Sequence, residues 1–148
     1  MPIEFQVTVD CADPHELAAW WAETLGWELE PTNEEFIRQM VELGHATDAE
    51  TREWRGQLWW AVGAALRLPN AAASGVGCRR MLFQVVPEGK TVKNRVHLDL
   101  RLVAAGGDLD SARDDLLARG ATFLHEGHQG PYRWYTMTDP EGNEFCVA

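Results

Sequence analysis

Apolar and polar residues alternate along positions 3–10: Ile3, Phe5, Val7 and Val9 fall on one side, Glu4, Gln6, Thr8 and Asp10 on the other. Side chains of a strand have period two, so this stretch predicts a strand with one face toward a core. "DPHE" follows, with Asp13 placed to cap a helix, Pro14 at its first position and Glu16 completing a capping box. Leu17, Trp20, Trp21 and Thr24 continue at helical spacing until Gly26. The order recurs in the second half. "NRVHLDL" (94–100) sends Val96, Leu98 and Leu100 one way and Arg95, His97 and Asp99 the other. "DLDSARDDLLARG" is a helix with Asp108 or Asp110 near its start and Gly120 at its end, and "ATFL" is a short strand after it.

Superposing the halves sets Gln6 opposite His97 and Gly26 opposite Gly120, and matching "FQV" (83–85) with "FCV" (145–147) sets Gln84 opposite Cys146. Gln6 and Gln84 are 78 positions apart, His97 and Cys146 only 49, so the first copy carries about 30 extra residues. That surplus falls between Pro31 and Cys78. Asn33 caps a helix with a stripe of Phe36, Ile37, Met40 and Val41, Gly44 can stop it, and "TDAE" (47–50) is a second capping box. "GQLWWAVGAALRLP" is apolar throughout, and periodicity leaves helix and strand both open. "NAAASGVG" is then a flexible loop before the strand "RRMLFQVV". Farther on, "EGHQGP" is a loop, "YRWYTMT" a strand and "DPEGN" a turn into "EFCVA". The expected class is α+β, a single domain over 1–148 made of two strand–helix–three-strand modules. Module one spans about 1–88, including a helical insert over about 32–66, and module two about 94–148.

Composition narrows the function. A 148-residue chain with 45% hydrophobic residues can build a core. No stretch reaches the roughly 18 to 20 apolar residues of a membrane span, and "MPIEFQVTVD" lacks a signal peptide's basic start and apolar run, so the reading is cytoplasmic. Three cysteines at irregular spacing form neither a disulfide framework nor a CxxC zinc pattern. A net charge of -10 disfavours nucleic acid and anionic membranes as partners and favours neutral or cationic ligands. Seven tryptophans supply rings for a core or for ligand walls.

"VDCADPHELAAWWAETLGW", "KTVKNRVHLDL" and "DPEGNEFCVA" together resemble the glyoxalase and bleomycin-resistance group, the vicinal oxygen chelate superfamily, and more narrowly the glyoxalase-like domain proteins of bacteria. The resemblance implies two βαβββ modules forming a cup-shaped mixed sheet, and a homodimer as one assembly state. Its metal-dependent members take ligands from the first and last strands of each module, here Gln6, Gln84, His97 and Cys146. One histidine, two amides and one thiol depart from the usual histidine and carboxylate set. The expected cofactor is therefore none or a divalent metal, with zinc best suited to the imidazole and thiol.

His97 has three readings: a structural residue paired with Asp99 or Gln6, a donor orienting a ligand, or a catalytic general base. Gln6, Gln84, His97, Asp99 and Cys146 are the polar ligand-binding candidates. Trp59, Trp60 and Trp134 would stack on a flat or cationic molecule, or else cover an extended core. The histidines of "HEGH" (125–128) read as solvated loop, and Lys90, Lys93 and Arg95 as a wet connector. Three functions follow: a binding protein for a small aromatic or cationic molecule; a lyase, isomerase or dioxygenase-like enzyme using a metal or His97; or an interaction domain without a small-molecule site.

Overall fold

The computed structural model describes residues 1–69 and 78–148. The chain runs β1 (Phe5–Cys11), α1 (Pro14–Leu25), β2 (Glu28–Leu29), α2 (Glu34–Glu42), a 3₁₀ turn (Asp48–Glu50), β3 (Thr51–Trp54), β4 (Gln57–Trp60), β5 (Gly63–Arg67) and β6 (Cys78–Val85). It continues through β7 (Leu98–Leu100), a 3₁₀ turn (Val103–Ala105), α3 (Leu109–Ala118), β8 (Thr122–Gln129), β9 (Tyr132–Thr138) and β10 (Glu144–Val147). Two compact units result, Met1–Gly89 and Lys90–Ala148. The predicted "NAAASGVG" loop lies outside the described residues. Among the described residues no helix is long and apolar enough to cross a membrane.

Each unit is a βαβββ module. The first sheet has the order β1-β6-β5-β2 and the second β7-β10-β9-β8, so in both the opening strand lies parallel to the closing strand. A helix supplies the crossover that parallel pairing requires. In the first unit α1 packs on β5 and β6, burying Leu17, Ala18 and Trp21 together with Leu66, Met81 and Phe83. In the second, Leu109 and Leu116 of α3 are buried, as are Tyr135, Met137, Phe145 and Val147 of the sheet.

The helix caps are those expected from sequence. Asp13 accepts from the Glu16 amide at 3.2 Å, Asn33 from Phe36 at 3.1 Å and Asp108 from Ser111 at 2.8 Å. Asp108 therefore resolves the choice at the start of α3. Gly26 takes the left-handed conformation that ends α1, with φ of 66°.

Three elements differ from the sequence reading. The insert is helical only at Glu34–Glu42 and in one 3₁₀ turn; 51–60 form a hairpin and 63–67 a sheet strand. Arg55 and Gly56 make its two-residue turn with φ of 47° and 77°, the left-handed pair that matches strand twist. The strand expected at 94–100 shrinks to Leu98–Leu100 and leaves Val96 83% exposed. Its partner β10 begins only at Glu144, after the "DPEGN" turn, so the ladder has nothing to offer residues before Leu98. Conversely, "HEGHQ" is strand rather than loop, because the seven-residue β9 pairs it through Gln129↔Tyr132.

Candidate functional site

In the second sheet the faces divide by chemistry. Cross-strand pairs share a face, and so do residues two apart along a strand. Cys146 pairs with Asp99 on one side and Thr136 on the other, and Thr136 is two residues from Trp134. Asp99, Cys146, Thr136 and Trp134 thus form one polar face, while Phe145, Val147, Tyr135 and Met137 form the buried one. His97 stands just ahead of β7. Its Nε2 lies 3.2 Å from Asp99 Oδ1, and the Cys146 Sγ is 3.5 Å from Thr136 Oγ1. A ligand atom from each of His97, Asp99 and Cys146 lies within 4.8 Å of the others. The imidazole and carboxylate are exposed and the thiol is half-buried.

Trp134 shares this face, and a glycine sets its ring toward β8. A Cβ on Gly127, its cross-strand partner, would meet ring atoms of Trp134 at 2.4 to 2.6 Å. Only a residue without a side chain lets the indole lie down on β8.

The approach to β7 is fastened by side chains. Glu144 accepts from the Asn94 amide and from Lys90 Nζ, each at 3.0 Å, and Asn94 Nδ2 donates to Asn143 Oδ1 at 3.1 Å. Burial raises the Glu144 pKa, but the Asn94 amide and Lys90 outweigh it and hold the carboxyl below its ordinary value. Asp139, 2% exposed, accepts from the Glu141 and Asn143 amides at 2.9 and 3.0 Å and locks the turn. Lys90, read from sequence as a wet connector residue, is half of this fastening.

The two glutamines of the first unit have their own partners. Gln6 Oε1 accepts from Arg80 at 2.9 Å, and Gln84 Nε2 donates to Asp10 Oδ1 at 3.1 Å. The strand register pairs Gln84 with Asp10, as it pairs Cys146 with Asp99. Matching the sheets by register therefore sets Thr8, rather than Gln6, opposite His97. Gln6 instead lines a cavity of about 320 Å³ with Glu4, Phe5, Arg79 and Arg80.

Trp59 belongs to a different cluster, which sequence reading missed. Arg52, Trp54 and Trp59 share the face of the β3–β4 hairpin that covers the N-terminal end of α1. His15, fully buried, sits against both indoles, with centroids 5.7 Å from Trp54 and 5.5 Å from Trp59. Arg52 grips Asp13 through two bonds of 2.7 and 3.2 Å and reaches His15 Nδ1 at 3.1 Å. Trp54 Nε1 and Arg55 Nη2 donate to Glu16 at 2.6 and 3.2 Å. The Arg52 hydrogen bond holds the Asp13 carboxyl below its usual range. The available signal was the placement of His15 three residues before Ala18, on the stripe α1 buries. Trp60 is half-buried on the opposite hairpin face.

The glyoxalase-like domain model matches residues 6–148. No curated protein sequence matches the chain significantly. Among solved structures, a glyoxalase/bleomycin resistance protein/dioxygenase superfamily member from Sphaerobacter thermophilus is similar at TM-score 0.56 and 18% identity, covering 99% of this chain and 96% of that one. The E126Q mutant of the fosfomycin resistance protein FosX from Listeria monocytogenes, complexed with Mn(II) and 1S,2S-dihydroxypropylphosphonic acid, is similar at TM-score 0.59 and 8% identity over 96% and 85% of the chains. FosX from Mesorhizobium loti is similar at 0.58 and 10% over 99% and 90%. At such identities these likenesses speak to the fold. With two βαβββ modules in place and the family model spanning nearly all its length, the chain belongs to the glyoxalase-like domain family.

Proposed function

We propose that the chain binds a small aromatic or cationic organic molecule on the polar face of β7, β10 and β9, through a divalent ion held by His97, Asp99 and Cys146. The observation that carries this reading is the convergence of an imidazole nitrogen, a carboxylate oxygen and a thiol sulfur within 4.8 Å of one another. Donors around a tetrahedral zinc ion stand about 3.3 to 3.8 Å apart, so the set needs only a small contraction. Its chemistry fits as well: imidazole and thiolate favour zinc over magnesium or manganese, and three protein donors leave a fourth position open. A bound ion would supply Lewis acidity to an oxygen of the ligand. Trp134 offers a stacking surface on the same face, and the net charge of -10 favours a cation. The Mn(II) of the FosX complex supports a divalent ion in this fold.

A second reading, enzymatic proton transfer by His97, is favoured by the 3.2 Å contact with Asp99, which would orient the imidazole. Elemental analysis of protein prepared without a histidine tag separates the two. Near-stoichiometric zinc, lost in His97→Ala and in Cys146→Ser, is the expected result. Zinc content that ignores both substitutions sinks the metal site, and activity that survives complete chelation in the wild type but fails in Asp99→Asn selects proton transfer.

A further inference from the structure

The cluster that closes the β3–β4 hairpin onto α1 has a titratable group at its centre, and its hydrogen bonding fixes that group's protonation state. Arginine has donors only, so the Arg52 contact at 3.1 Å requires His15 Nδ1 to accept. The single proton of the neutral ring therefore sits on Nε2. That atom has no partner at full hydrogen-bonding distance, although the Trp60 main chain offers the ring a weak bond. A second proton would have to enter at Nδ1, where it would set N–H against N–H and place a cation beside the guanidinium inside a pocket of two indoles.

Three charged groups act on this ring: Asp13 at the cap of α1, Glu16 from α1 and Arg52 from β3; Arg55 reaches Glu16 from the turn. The carboxylates would welcome a charged imidazole. Asp13 is already engaged by Arg52 in two bonds, and Glu16 by Trp54 and Arg55. Burial first, and the Arg52 charge second, keep His15 below its ordinary value of 6.5, against smaller opposite effects of Asp13, the Trp60 main chain and Glu16.

We propose that the β3–β4 hairpin is an acid-released latch: protonation of His15 at Nδ1 breaks its contact with Arg52 and frees the hairpin from the N-terminal end of α1. A histidine depressed in the folded state binds its proton more readily once released. Its contribution to closure is thus complete above about pH 6.5 and is lost as the pH falls below that value. The guanidinium and indole contacts to Asp13 and Glu16 do not by themselves open the arm; the imidazole does.

Amide hydrogen exchange over 51–60, corrected for intrinsic rates, tests the latch at pH 7.5 and 5.0 in the wild-type chain and in His15→Gln, whose amide oxygen can accept from Arg52 without titrating. The wild type should lose protection by on the order of tenfold per pH unit below 6.5 while His15→Gln stays level. No loss in the wild type, or an equal loss in His15→Gln, overturns the proposal. If His15→Gln does not fold, nitrogen chemical shifts of the wild-type imidazole decide. A proton on Nε2 at pH 7.5, with a ring titration that coincides with the change in tryptophan fluorescence, supports the latch. A proton on Nδ1, or two separate midpoints, refutes it.

Discussion

The two units share one strand order and dispose of their polar groups in opposite ways. In Met1–Gly89 the insert brings its own hairpin down on α1, so His15, Trp54 and Trp59 become interior and every charged neighbour is tied to another side chain. In Lys90–Ala148 nothing is inserted between β8 and β9 beyond a two-residue turn, and the face carrying Asp99, Cys146, Thr136 and Trp134 retains an exposed imidazole and carboxylate. A duplicated scaffold thus supports a buried aromatic closure in one copy and an exposed polar face in the other. Histidines in the two copies differ accordingly: His15 is fully buried and His97 is exposed.

The strongest way to break that contrast is to remove Trp59. The indole is 7% exposed, lies edge-on to both His15 and Trp54, and its loss opens a cavity beside a buried ring nitrogen. Trp59→Ala should destabilise the first unit by about 3–5 kcal/mol, read from urea unfolding. Trp134→Ala, where the ring is half-buried, should cost clearly less. Equal costs would mean that the two aromatic sites are both core, and the division between closure and open face would fall.

A smaller effect is expected at Glu144, the fastener of the second unit. Glu144→Ala strips acceptors from the Asn94 amide and Lys90 at once, and should cost about 1–3 kcal/mol. Because Asn94 lies three residues before His97, the same change should weaken zinc uptake without touching a donor atom. Unchanged zinc affinity would show that β7 holds His97 in place unaided.

Much of this contrast was legible in the sequence, and the part that was not has a physical reason. Caps and alternation are local signals, so Asp13, Asn33, Asp108 and the strands at 5–11, 132–138 and 144–147 follow from neighbouring residues alone. The hairpin at 51–60 was hidden because "QLWW" has no alternation and its turn uses Arg55 where asparagine or aspartate is usual. That left-handed arginine is held by Glu16 at 3.2 Å and by lying 4.3 Å from the Trp54 ring centre, partners 39 and 1 positions away, of which only the second is local. At the candidate site, strand periodicity put His97 and Asp99 on one face, while Cys146 came from matching the two halves and from the resemblance, which joined it to His97, Gln6 and Gln84 rather than to Asp99. Their meeting depends on the β7–β10 register, a non-local property, which also moves the counterpart of His97 from Gln6 to Thr8.

The mildest change sharpens the comparison most. His97→Gln keeps a polar side chain of similar reach and removes an imidazole whose side chain is 39% exposed. An exposed side-chain contact of this kind contributes little, so the stability change should stay within about 0.5 kcal/mol. Zinc binding should nevertheless be lost, because a hard, weakly basic amide oxygen is a poor substitute for the imidazole nitrogen beside the Cys146 thiolate. The combination of unchanged stability and lost metal would separate His97 from His15, whose ring is part of the folded interior. A cost well above 1 kcal/mol would instead assign the imidazole–Asp99 contact to the fold, making the two histidines alike and leaving the second unit with no group reserved for a ligand.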